Sequence, residues 1–435
     1  MNAPTRELLA TINGDEVGVL RDEANIWSFE YAPGWVESAD AFDLAPNLRR
    51  AESKIIDGGS QRPVQWFFDN LLPEETSREV LAQEANIAST DAFGLLAYYG
   101  KESAGAITLE ARGEASAQSG YRPLTDEELH DRISKLPWQS LSAGAPKHMS
   151  NAGAQHKLGV CILDGQLFHP VGSTPSTHLL KPNHVDVENW PSSVANEYFV
   201  MRLAARLVLN VPPVQIRYVP DPIYLIERFD RVTIGGGGGE PRRLHIIDAC
   251  QLLGLDRAFK YQQASVETLV RCVEVCENRA RSRRNILAWV LFNLLIGNAD
   301  AHLKNLSFRV SPGGIELAPF YDLVSTESYR AQYGNEPRWP DGQLSMRIGD
   351  ATTFAAVNRD DFITFASQLG VNTRAALRLL NQFTSLIDEA ARTLYEEFET
   401  IDIPQAIVRG GQLRVLRSIR FTVIRDMLRR LAAAS

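Results

Sequence analysis

The sequence predicts an α+β fold, with a small β-rich subdomain at the N-terminus and an all-α C-lobe. Three observations support this prediction: short apolar strands with turns up to about residue 110, alternating strands and helices from about residue 148, and helical spacing of apolar residues from Val266 onward. A chain of 435 residues exceeds one ordinary core, so two or three subdomains are expected. The predicted segments are residues 1–110 (β-rich subdomain), 111–147 (connection), 148–232 (core of the N-lobe) and 233–435 (helical C-lobe).

The first segment is predicted to be a β-meander. Its apolar runs are separated by Asn13-Gly14 and Asp22-Glu23, pairs that are typical of tight turns. Two helices follow, and the Ser/Ala/Gly-rich connection after them contains a third. The predicted strands are 8–12, 16–20 and 26–31, and the predicted helices are 64–71, 76–84 and 125–134.

The middle segment alternates strands with one strong helix. Residues 193–209 place apolar side chains on a single helical stripe, and Ser192-Ser193 is predicted to cap the first turn. The glycine run 235–239 is predicted to be a flexible hairpin tip or a disordered loop. It is not predicted to cradle phosphate, because no strand-to-helix switch with a fixed pattern accompanies it. The predicted strands are 158–163, 177–180 and 224–228.

The C-terminal part contains an apolar helix over 284–296 and a basic helix over 405–431. A solvated face is the default interpretation of the basic residues, and a surface that faces an anion or DNA is the alternative. The basic residues are Arg409, Arg414, Arg417, Arg420, Arg425, Arg429 and Arg430. They surround an apolar stripe of Leu416, Ile419, Val423, Ile424 and Leu428.

Composition excludes several classes of protein. A net charge of -8 argues against nonspecific binding of nucleic acid by the whole surface. The four cysteines Cys161, Cys250, Cys272 and Cys276 fit no metal-site spacing, so we expect buried free thiols in a reducing cytoplasm. The N-terminus lacks the apolar region of a signal peptide, and no apolar run approaches membrane-spanning length, so we expect no membrane association.

The strongest functional pattern lies in the loop after the apolar helix. Asp300 is followed by Asn305, and Asp322 follows in the next loop. In phosphotransfer sites of the kinase type, the first carboxylate accepts the proton of the substrate hydroxyl, while the Asn and the second Asp hold Mg²⁺ against the phosphates of ATP. A single turn-capping Asp with a nearby Asn is common, but all three residues in this order favour a kinase.

Upstream residues fit the same chemistry. Lys181 ends an apolar strand, where a kinase places a lysine on the α- and β-phosphates. Glu197 is a candidate ion-pair partner for that lysine, and an exposed helix glutamate is the alternative. The small polar loop that ends in Lys157 could cradle phosphate, although it matches no standard phosphate-loop pattern. Its residues are Ala152, Gly153, Ala154, Gln155, His156 and Lys157.

The strand over 224–228 turns polar at Glu227-Arg228-Phe229. A nucleotide hinge and a buried strand that ends in a surface Glu-Arg-Asp-Arg network are both compatible with this pattern. His302 stands where eukaryotic protein kinases usually have a lysine, and Asp322 lacks the glycine of Asp-Phe-Gly. Both departures indicate an atypical kinase.

At these motifs the sequence resembles the HipA family of bacterial toxin kinases, nearly from end to end. The resemblance is carried by 64–74, 91–96, 150–157, 178–182, 195–197, 227–231, 297–305 and 319–323. It implies a protein-kinase-like two-lobed fold with ATP and Mg²⁺ between the lobes. Two stretches depart from the family pattern, namely 245–251 and the glycine run, which puts the local hairpin in doubt.

The resemblance also implies roles for individual residues. Asp300 falls on the catalytic base, and Asn305 and Asp322 fall on the metal ligands. Ser150 falls on a serine that such kinases autophosphorylate, which moves the loop out of the nucleotide site and inactivates the enzyme. Arg374 lies near the family's DNA contact. The implied ATP contacts are Ala152, Gly153, Ala154, Gln155, His156, Lys157, Lys181, Glu227, Arg228, Phe229, His302, Lys304, Asn305, Tyr321 and Asp322.

For function, the resemblance implies a serine/threonine protein kinase toxin of a type II toxin–antitoxin pair. Its implied partners are a small dimeric helix-turn-helix antitoxin, operator DNA mainly through that antitoxin, and a protein substrate, an aminoacyl-tRNA synthetase in family members. Two alternatives remain open from the sequence. One is a kinase-fold co-repressor with little catalysis, and the other is a small-molecule kinase that uses a similar Asp-Asn loop.

Overall fold

A computed structural model of the chain describes residues 5–113, 118–149, 153, 155–233, 241–331, 339–403 and 405–432. Ser150, Ala152, Ala154 and the glycine run 235–239, for which predictions were made, lie outside the described residues. The chain divides into two compact units. Unit 1 comprises Met1–Pro182, Leu225–Ala258 and Ser307–Ala318, and unit 2 comprises Asn183–Tyr224, Phe259–Leu306 and Pro319–Ser435.

Eighteen strands occur within the described ranges. In chain order they are β1 (Arg6–Ile12), β2 (Asp15–Glu23), β3 (Ile26–Tyr31), β4 (Lys54–Ile56), β5 (Ile107–Glu110), β6 (Gly120–Pro123), β7 (Leu158–Leu163), β8 (Gln166–Val171), β9 (His178–Pro182), β10 (Val214–Tyr218), β11 (Pro222–Glu227), β12 (Arg231–Thr233), β13 (Pro241–Arg243), β14 (Ile246–Asp248), β15 (Ser307–Ser311), β16 (Gly314–Leu317), β17 (Gln343–Ile348) and β18 (Ala351–Thr353).

Fourteen α-helices occur in the same ranges. They are α1 (Pro33–Glu37), α2 (Pro63–Asp69), α3 (Glu75–Glu84), α4 (Ala92–Tyr99), α5 (Asp126–Ser134), α6 (Ser193–Arg206), α7 (Ala249–Leu253), α8 (Val266–Glu274), α9 (Arg279–Leu295), α10 (Glu327–Arg330), α11 (Arg359–Gln368), α12 (Thr373–Glu399), α13 (Ala406–Ser418) and α14 (Arg425–Ala432). None of these helices in the described part of the chain is long and apolar enough to cross a membrane.

The first sheet of unit 1 is the predicted meander. Its strand order is β4-β3-β2-β1-β5, and neighbouring strands are antiparallel. Aromatic side chains from one face of the sheet pack against α2 and α4. The rings of Trp27 and Phe93 meet edge-on with centroids 5.2 Å apart, and those of Phe29 and Phe68 lie 5.5 Å apart. Burial of such rings stabilises this subdomain.

A second sheet of unit 1 carries the motifs of the predicted N-lobe. The strands β11-β9-β7-β8-β6 are neighbours in this order, and β7 pairs antiparallel with both β8 and β9. Strands β14, β15 and β16 form a further antiparallel sheet. Lys181 is the penultimate residue of β9, and β9 lies between β11 and β7 in this sheet.

A buried group of charged residues fills the interior of unit 1. We call it the Glu102 cluster. The Glu102 carboxylate is completely buried and contacts Lys147 at 2.8 Å, Arg228 at 3.2 Å and Arg231 at 3.1 Å. Arg243 and the Ser176 hydroxyl also donate to it. The remaining member, Asp230, binds Arg228 at 2.7 Å and Arg231 at 2.9 Å.

Electrostatics keep both carboxylates of the cluster ionised. Burial alone would raise the pKa of Glu102, but Arg243, Lys147, Arg231 and Arg228 hold that pKa well below its usual range. For Arg231, burial and the neighbouring Arg228 lower the pKa to about 10, so its guanidinium remains protonated at neutral pH. The cluster joins four separate parts of the chain by charge-assisted hydrogen bonds.

Unit 2 is mainly helical, as predicted for the C-terminal part. The β17–β18 strand pair adds to this unit, so the C-terminal region is mixed and predominantly helical. Helix α6 begins at the predicted Ser193, but the cap prediction was wrong. Ser192 has a left-handed backbone and makes no side-chain cap bond among the described residues. Asn183 instead accepts the backbone N–H of Val194 at 3.1 Å, a contact between loop and helix that the local sequence does not signal.

The basic C-terminal region forms α13, a π-helical segment at Ile419–Ile424, and α14. Arg417 donates to the Tyr395 hydroxyl at 2.8 Å, and Arg430 donates to Asp426 at 2.9 Å. Ile419, Val423 and Ile424 of the predicted apolar stripe are buried, whereas Leu428 is only partly buried. Five of the seven arginines are exposed, which is compatible with the solvated face of the default interpretation. All four cysteines are buried free thiols, as expected.

We predict an acid-sensitive unit 1 because of His245. Burial lowers the pKa of His245 to about 4, and its Nε2 donates to the Leu44 carbonyl at 2.9 Å. The unfolded chain binds the proton at a higher pH, so stability is retained above about pH 6.5 and falls by up to roughly 3 kcal/mol towards pH 4. Urea unfolding at pH 7 and pH 4.5 should show a smaller acid loss for His245→Gln. His130→Gln, at an exposed histidine, is the control; equal acid losses in all three proteins would contradict the prediction.

Candidate active site

The loop that carries Asp300 begins where α9 ends. Gly297 has φ +63, and a Cβ at this position would lie 2.7 Å from a methyl of Val423. Glycine satisfies both the left-handed backbone and the close packing. The chain turns sharply here, and Asn298 donates its side-chain N–H to Asn293 of the helix at 2.8 Å. The turn directs the following residues away from the helix end.

Side chains then fix the course of the loop. The Asn298 Oδ1 accepts the backbone N–H of Asp300 at 3.0 Å, and the Thr326 hydroxyl accepts that of Ala299 at 2.8 Å. Glu327 donates its backbone N–H to the Gly297 carbonyl at 3.0 Å. The loop is therefore held from the helix side and from the segment that precedes α10.

Asp300 and Asn305 are brought together by the loop itself. The Asn305 Nδ2 donates to the Asp300 backbone carbonyl at 3.0 Å, while the Asp300 side chain is 55% exposed. His302 Nε2 lies 4.0 Å from the Asp300 carboxylate, and the His302 and Lys304 side chains are buried. The hydrogen bonds of Asp300 to Asn298 and Asn305 use its backbone. Its carboxylate faces solvent and accepts a hydrogen bond from the Tyr261 hydroxyl.

Tyr321 and Asp322 follow in the same unit. The Tyr321 hydroxyl donates to the Lys304 carbonyl at 2.7 Å and so ties the two loops together. Asp322 has φ +51, which is uncommon outside glycine and costs most residues about 1–2 kcal/mol. Backbone conformations of this kind concentrate at active sites, where the fold holds a side chain in a required direction.

Glu197 is almost completely buried on α6 and interacts with the Tyr224 hydroxyl. Burial, followed by the charges of Glu197 and Asp322, raises the pKa of Tyr224 well above its usual value. The exposed-glutamate alternative for Glu197 is therefore wrong. The adjacent Asn196 has a different role, since it exchanges two hydrogen bonds with the backbone of Ser325 at 2.9 and 3.0 Å.

Unit 1 carries the predicted phosphate-binding residues. The Lys181 side chain is buried at the end of β9, and Gln155 donates to the Pro182 carbonyl at 3.2 Å. Gly153 has φ +105, and a Cβ there would lie 2.7 Å from Lys157 Nζ. The ammonium group of Lys157 thus rests against the glycine backbone. His156 is partly exposed beside it.

The predicted hinge residues have different environments. Glu227 is exposed, Phe229 is partly exposed, and Arg228 is buried. The guanidinium of Arg228 is committed to Glu102 and Asp230, and its backbone N–H donates to the Thr177 carbonyl at 2.9 Å. Of the Glu-Arg-Asp-Arg network anticipated at the surface, Glu227 is exposed, whereas Arg228, Asp230 and Arg231 form ion pairs in the interior with Glu102.

The chemistry of Asn305 and Asp322 fits a magnesium ion. The side-chain N–H of Asn305 donates to the Asp300 carbonyl, so its side-chain oxygen is the atom that would bind the metal. Asp322 would supply a carboxylate oxygen. Mg²⁺ prefers such oxygen ligands and commonly binds through one or two of them together with substrate phosphates. No cluster of three or more His, Cys, Asp or Glu side chains that could hold a metal alone exists in the described part of the chain.

Two functional candidates were missed by sequence reasoning. Tyr261 donates its hydroxyl to the Asp300 carboxylate, and the carbonyl of Lys260 accepts the Leu303 backbone N–H at 3.2 Å. No sequence signal links them, since Tyr261 precedes Asp300 by 39 positions. Arg374, the predicted DNA contact, is exposed in the first turn of α12.

Comparisons with known proteins agree with this geometry. The family model for the HipA-like C-terminal domain matches residues 149–391, and that for the HipA N-terminal domain matches residues 8–110. The chain is 34% identical over 386 residues to the putative kinase Y4mE of Sinorhizobium fredii, covering 85% of this chain and 86% of that protein. It is 31% identical to the serine/threonine-protein kinase toxin HipA of Shewanella oneidensis, with 84% of each chain covered.

A solved structure agrees over almost the whole length. A chain of the Shewanella oneidensis MR-1 complex of HipA, HipB and operator DNA superposes with a TM-score of 0.77 at 27% identity, covering 97% of this chain and 99% of that chain. The predicted α+β, kinase-like fold is thus confirmed. Fold and site define an enzyme of the serine/threonine-protein kinase class. Within that class, the chain belongs to the HipA family.

Proposed function

We propose that this protein is the kinase toxin of a type II toxin–antitoxin pair and phosphorylates a serine or threonine hydroxyl of another protein. The observation that carries the proposal is the loop of Asp300, whose backbone is fixed by Asn298, Asn305 and Thr326 while its carboxylate is exposed. A rigid loop with an accessible carboxylate is what a general base for a bulky substrate requires.

The transfer step follows from these groups. The acceptor O–H gives its proton to Asp300 as its oxygen bonds to the γ-phosphorus of ATP, and the bond from that phosphorus to the β–γ bridging oxygen breaks to release ADP. Asn305 and Asp322 would hold Mg²⁺, which supplies positive charge to the phosphates when bound. By the family resemblance, Lys181 and Lys157 would add positive charge at the phosphates of ATP.

The substrate and partners are proposed by family membership. An aminoacyl-tRNA synthetase is the proposed protein substrate, and a HipB-like dimeric helix-turn-helix protein is the proposed antitoxin. The Shewanella oneidensis structure contains HipA, HipB and operator DNA together, which supports this partnership. The protein would then act as co-repressor, with operator DNA contacted mainly through the antitoxin and, at most locally, through Arg374.

Ser150 is the proposed site of inactivating autophosphorylation. The described residues that flank it are well anchored: Lys147 binds Glu102, and the Gly153 carbonyl accepts the Glu74 backbone N–H at 3.4 Å. A phosphate on this loop would compete with ATP for Lys157 and Lys181, because two phosphate groups cannot share one cationic site. Autophosphorylation would therefore lower ATP affinity.

Intact-mass and phosphopeptide mapping after incubation with Mg·ATP tests this proposal. We expect one phosphate on Ser150 in the wild type, none at that position in Ser150→Ala, and none in Asp300→Asn. The Ser150→Ala protein should also keep its activity on other acceptors for longer. ATP binding without any phosphate transfer by initially unphosphorylated wild type would contradict the proposal and favour a kinase-fold co-repressor or a small-molecule kinase.

A further inference from the structure

The proposed base, Asp300, already has a hydroxyl partner. Tyr261 lies in the loop before α8, and its Oη donates a hydrogen bond to Oδ1 of Asp300. Both residues belong to unit 2. Tyr261 is 44% exposed and the Asp300 side chain 55% exposed, so the contact forms at the surface where an acceptor would approach.

The tyrosine is positioned by its neighbours. Its ring meets that of His302 edge-on, with centroids 4.9 Å apart at 82°, and Lys260 Nζ lies 5.3 Å from the ring centroid. The Lys260 carbonyl accepts the Leu303 backbone N–H, which joins this segment to the loop of Asp300. The backbone is thus held near the base, while the exposed phenol is able to turn away.

A phenol hydrogen-bonded to this carboxylate has the same donor role as an acceptor hydroxyl. In the proposed reaction the acceptor must donate its O–H to Asp300 before transfer. We propose that Tyr261 occupies the acceptor-hydroxyl subsite and competes with every incoming hydroxyl, so that it determines which acceptors react. The inference rests on the proposed kinase function and on Asp300 as its base.

The competition has a consequence for specificity. A protein segment makes many contacts around the site and can displace one hydrogen bond. Water offers few such contacts and is disfavoured. If the hydrogen-bonded form makes up about nine-tenths of the molecules, the apparent affinity for an acceptor falls about tenfold. Tyr261 would thereby limit hydrolysis of ATP in the absence of a protein acceptor.

Tyr261→Phe tests the inference, because it removes the hydroxyl and keeps the ring against His302. All kinases should carry Ser150→Ala, which removes the proposed inactivation. The acceptor probe is a pool of synthetic peptides with one central serine, and ATP hydrolysis without peptide is measured in parallel. Tyr198→Phe is the matched control, since it removes a hydroxyl from α6 that contacts Arg202 at 3.1 Å.

We expect Tyr261→Phe to lower the KM for the peptides about tenfold with kcat changed less than twofold, and to raise ATP hydrolysis severalfold. Tyr198→Phe should match the parent protein. A lower kcat at constant KM would overturn the inference and make Tyr261 a positioning residue for Asp300. Unchanged kinetics, or phosphate on Tyr261 itself, would also overturn it.

Failure of the proposed function would look different. In that case no variant, including the parent, would transfer phosphate to the peptides, and the inference would be rejected together with the kinase assignment of Asp300. Transfer by the parent protein with no effect of Tyr261→Phe would reject only the role of Tyr261.

Discussion

Replacement of Asp300 by asparagine is expected to reduce phosphotransfer about 10²- to 10⁴-fold, the usual range for loss of a general base. The amide keeps the size and shape of the side chain but cannot accept the proton of the acceptor hydroxyl. The loop itself should not change, because its bonds to Asn298 and Asn305 use the Asp300 backbone. ATP affinity and thermal stability are therefore expected to stay close to those of the wild type.

The measurement is the initial rate of phosphate transfer from Mg·ATP, with ATP affinity and thermal unfolding determined on the same samples. Asp350→Asn is the matched control. Its side chain is 96% exposed in unit 2 and forms an ion pair with Arg347 at 2.6 Å. A rate for Asp300→Asn within a few-fold of the wild type would show that another group takes the proton.

Replacement of Glu102 by glutamine is expected to destabilise the protein by about 3–5 kcal/mol, the cost of removing one partner from a buried ion pair. The carboxylate is fully buried, and its loss would leave the cations of Lys147 and Arg243 without their main counter-charge. Glutamine fills the same space, so the effect reports charge and not packing. Urea unfolding at neutral pH measures it.

Glu30→Gln is the control for Glu102→Gln in the same unit. Its partner is Arg21, and the Glu30 side chain is 48% exposed, so a change within about 1 kcal/mol is expected. The acid response provides a second check. Since the pKa of Glu102 is held well below its usual range, its contribution is present above about pH 4.5 and is lost only in stronger acid. An equal decrease in the free energy of unfolding for Glu102→Gln and Glu30→Gln would contradict the prediction.

Local patterns predicted much of the secondary structure. Alternation and the Asn13-Gly14 turn located β1 to β3 within a few residues, and the apolar run at β7 was predicted with its observed bounds. The turn predicted at Asp22-Glu23 was wrong, because both residues belong to β2 and the chain turns at Ala24-Asn25. Helix α9 was predicted to begin at residue 284, five residues after its observed start at Arg279. The first residues of the helix include several arginines and lack apolar periodicity, and Asn278 caps them. These elements follow from side-chain periodicity and turn residues, which are properties of neighbouring positions.

The proximity of Asp300 and Asn305 was also predictable, since the two residues lie five positions apart in one loop. The backbone of Asp322 was not. Its left-handed conformation follows Tyr321, whose hydroxyl donates to the Lys304 carbonyl 17 positions away, and no local spacing signals either feature. The burial of Arg228 could not be read either, because its partner Glu102 lies 126 positions earlier. Spacing predicts only what is close along the chain.

By itself, therefore, the sequence determined the strands and helices with clear periodicity, the HipA-like order of motifs and the residues that the proposed chemistry requires. Only the tertiary structure decided that Glu102 joins four cations, that Asn183 caps α6, and that Tyr261 meets the proposed base. The physical reason is the same in each case. A buried charge, a cap or a surface hydrogen bond between distant segments depends on which parts of the chain become neighbours, and such pairings have no periodic signal in the sequence.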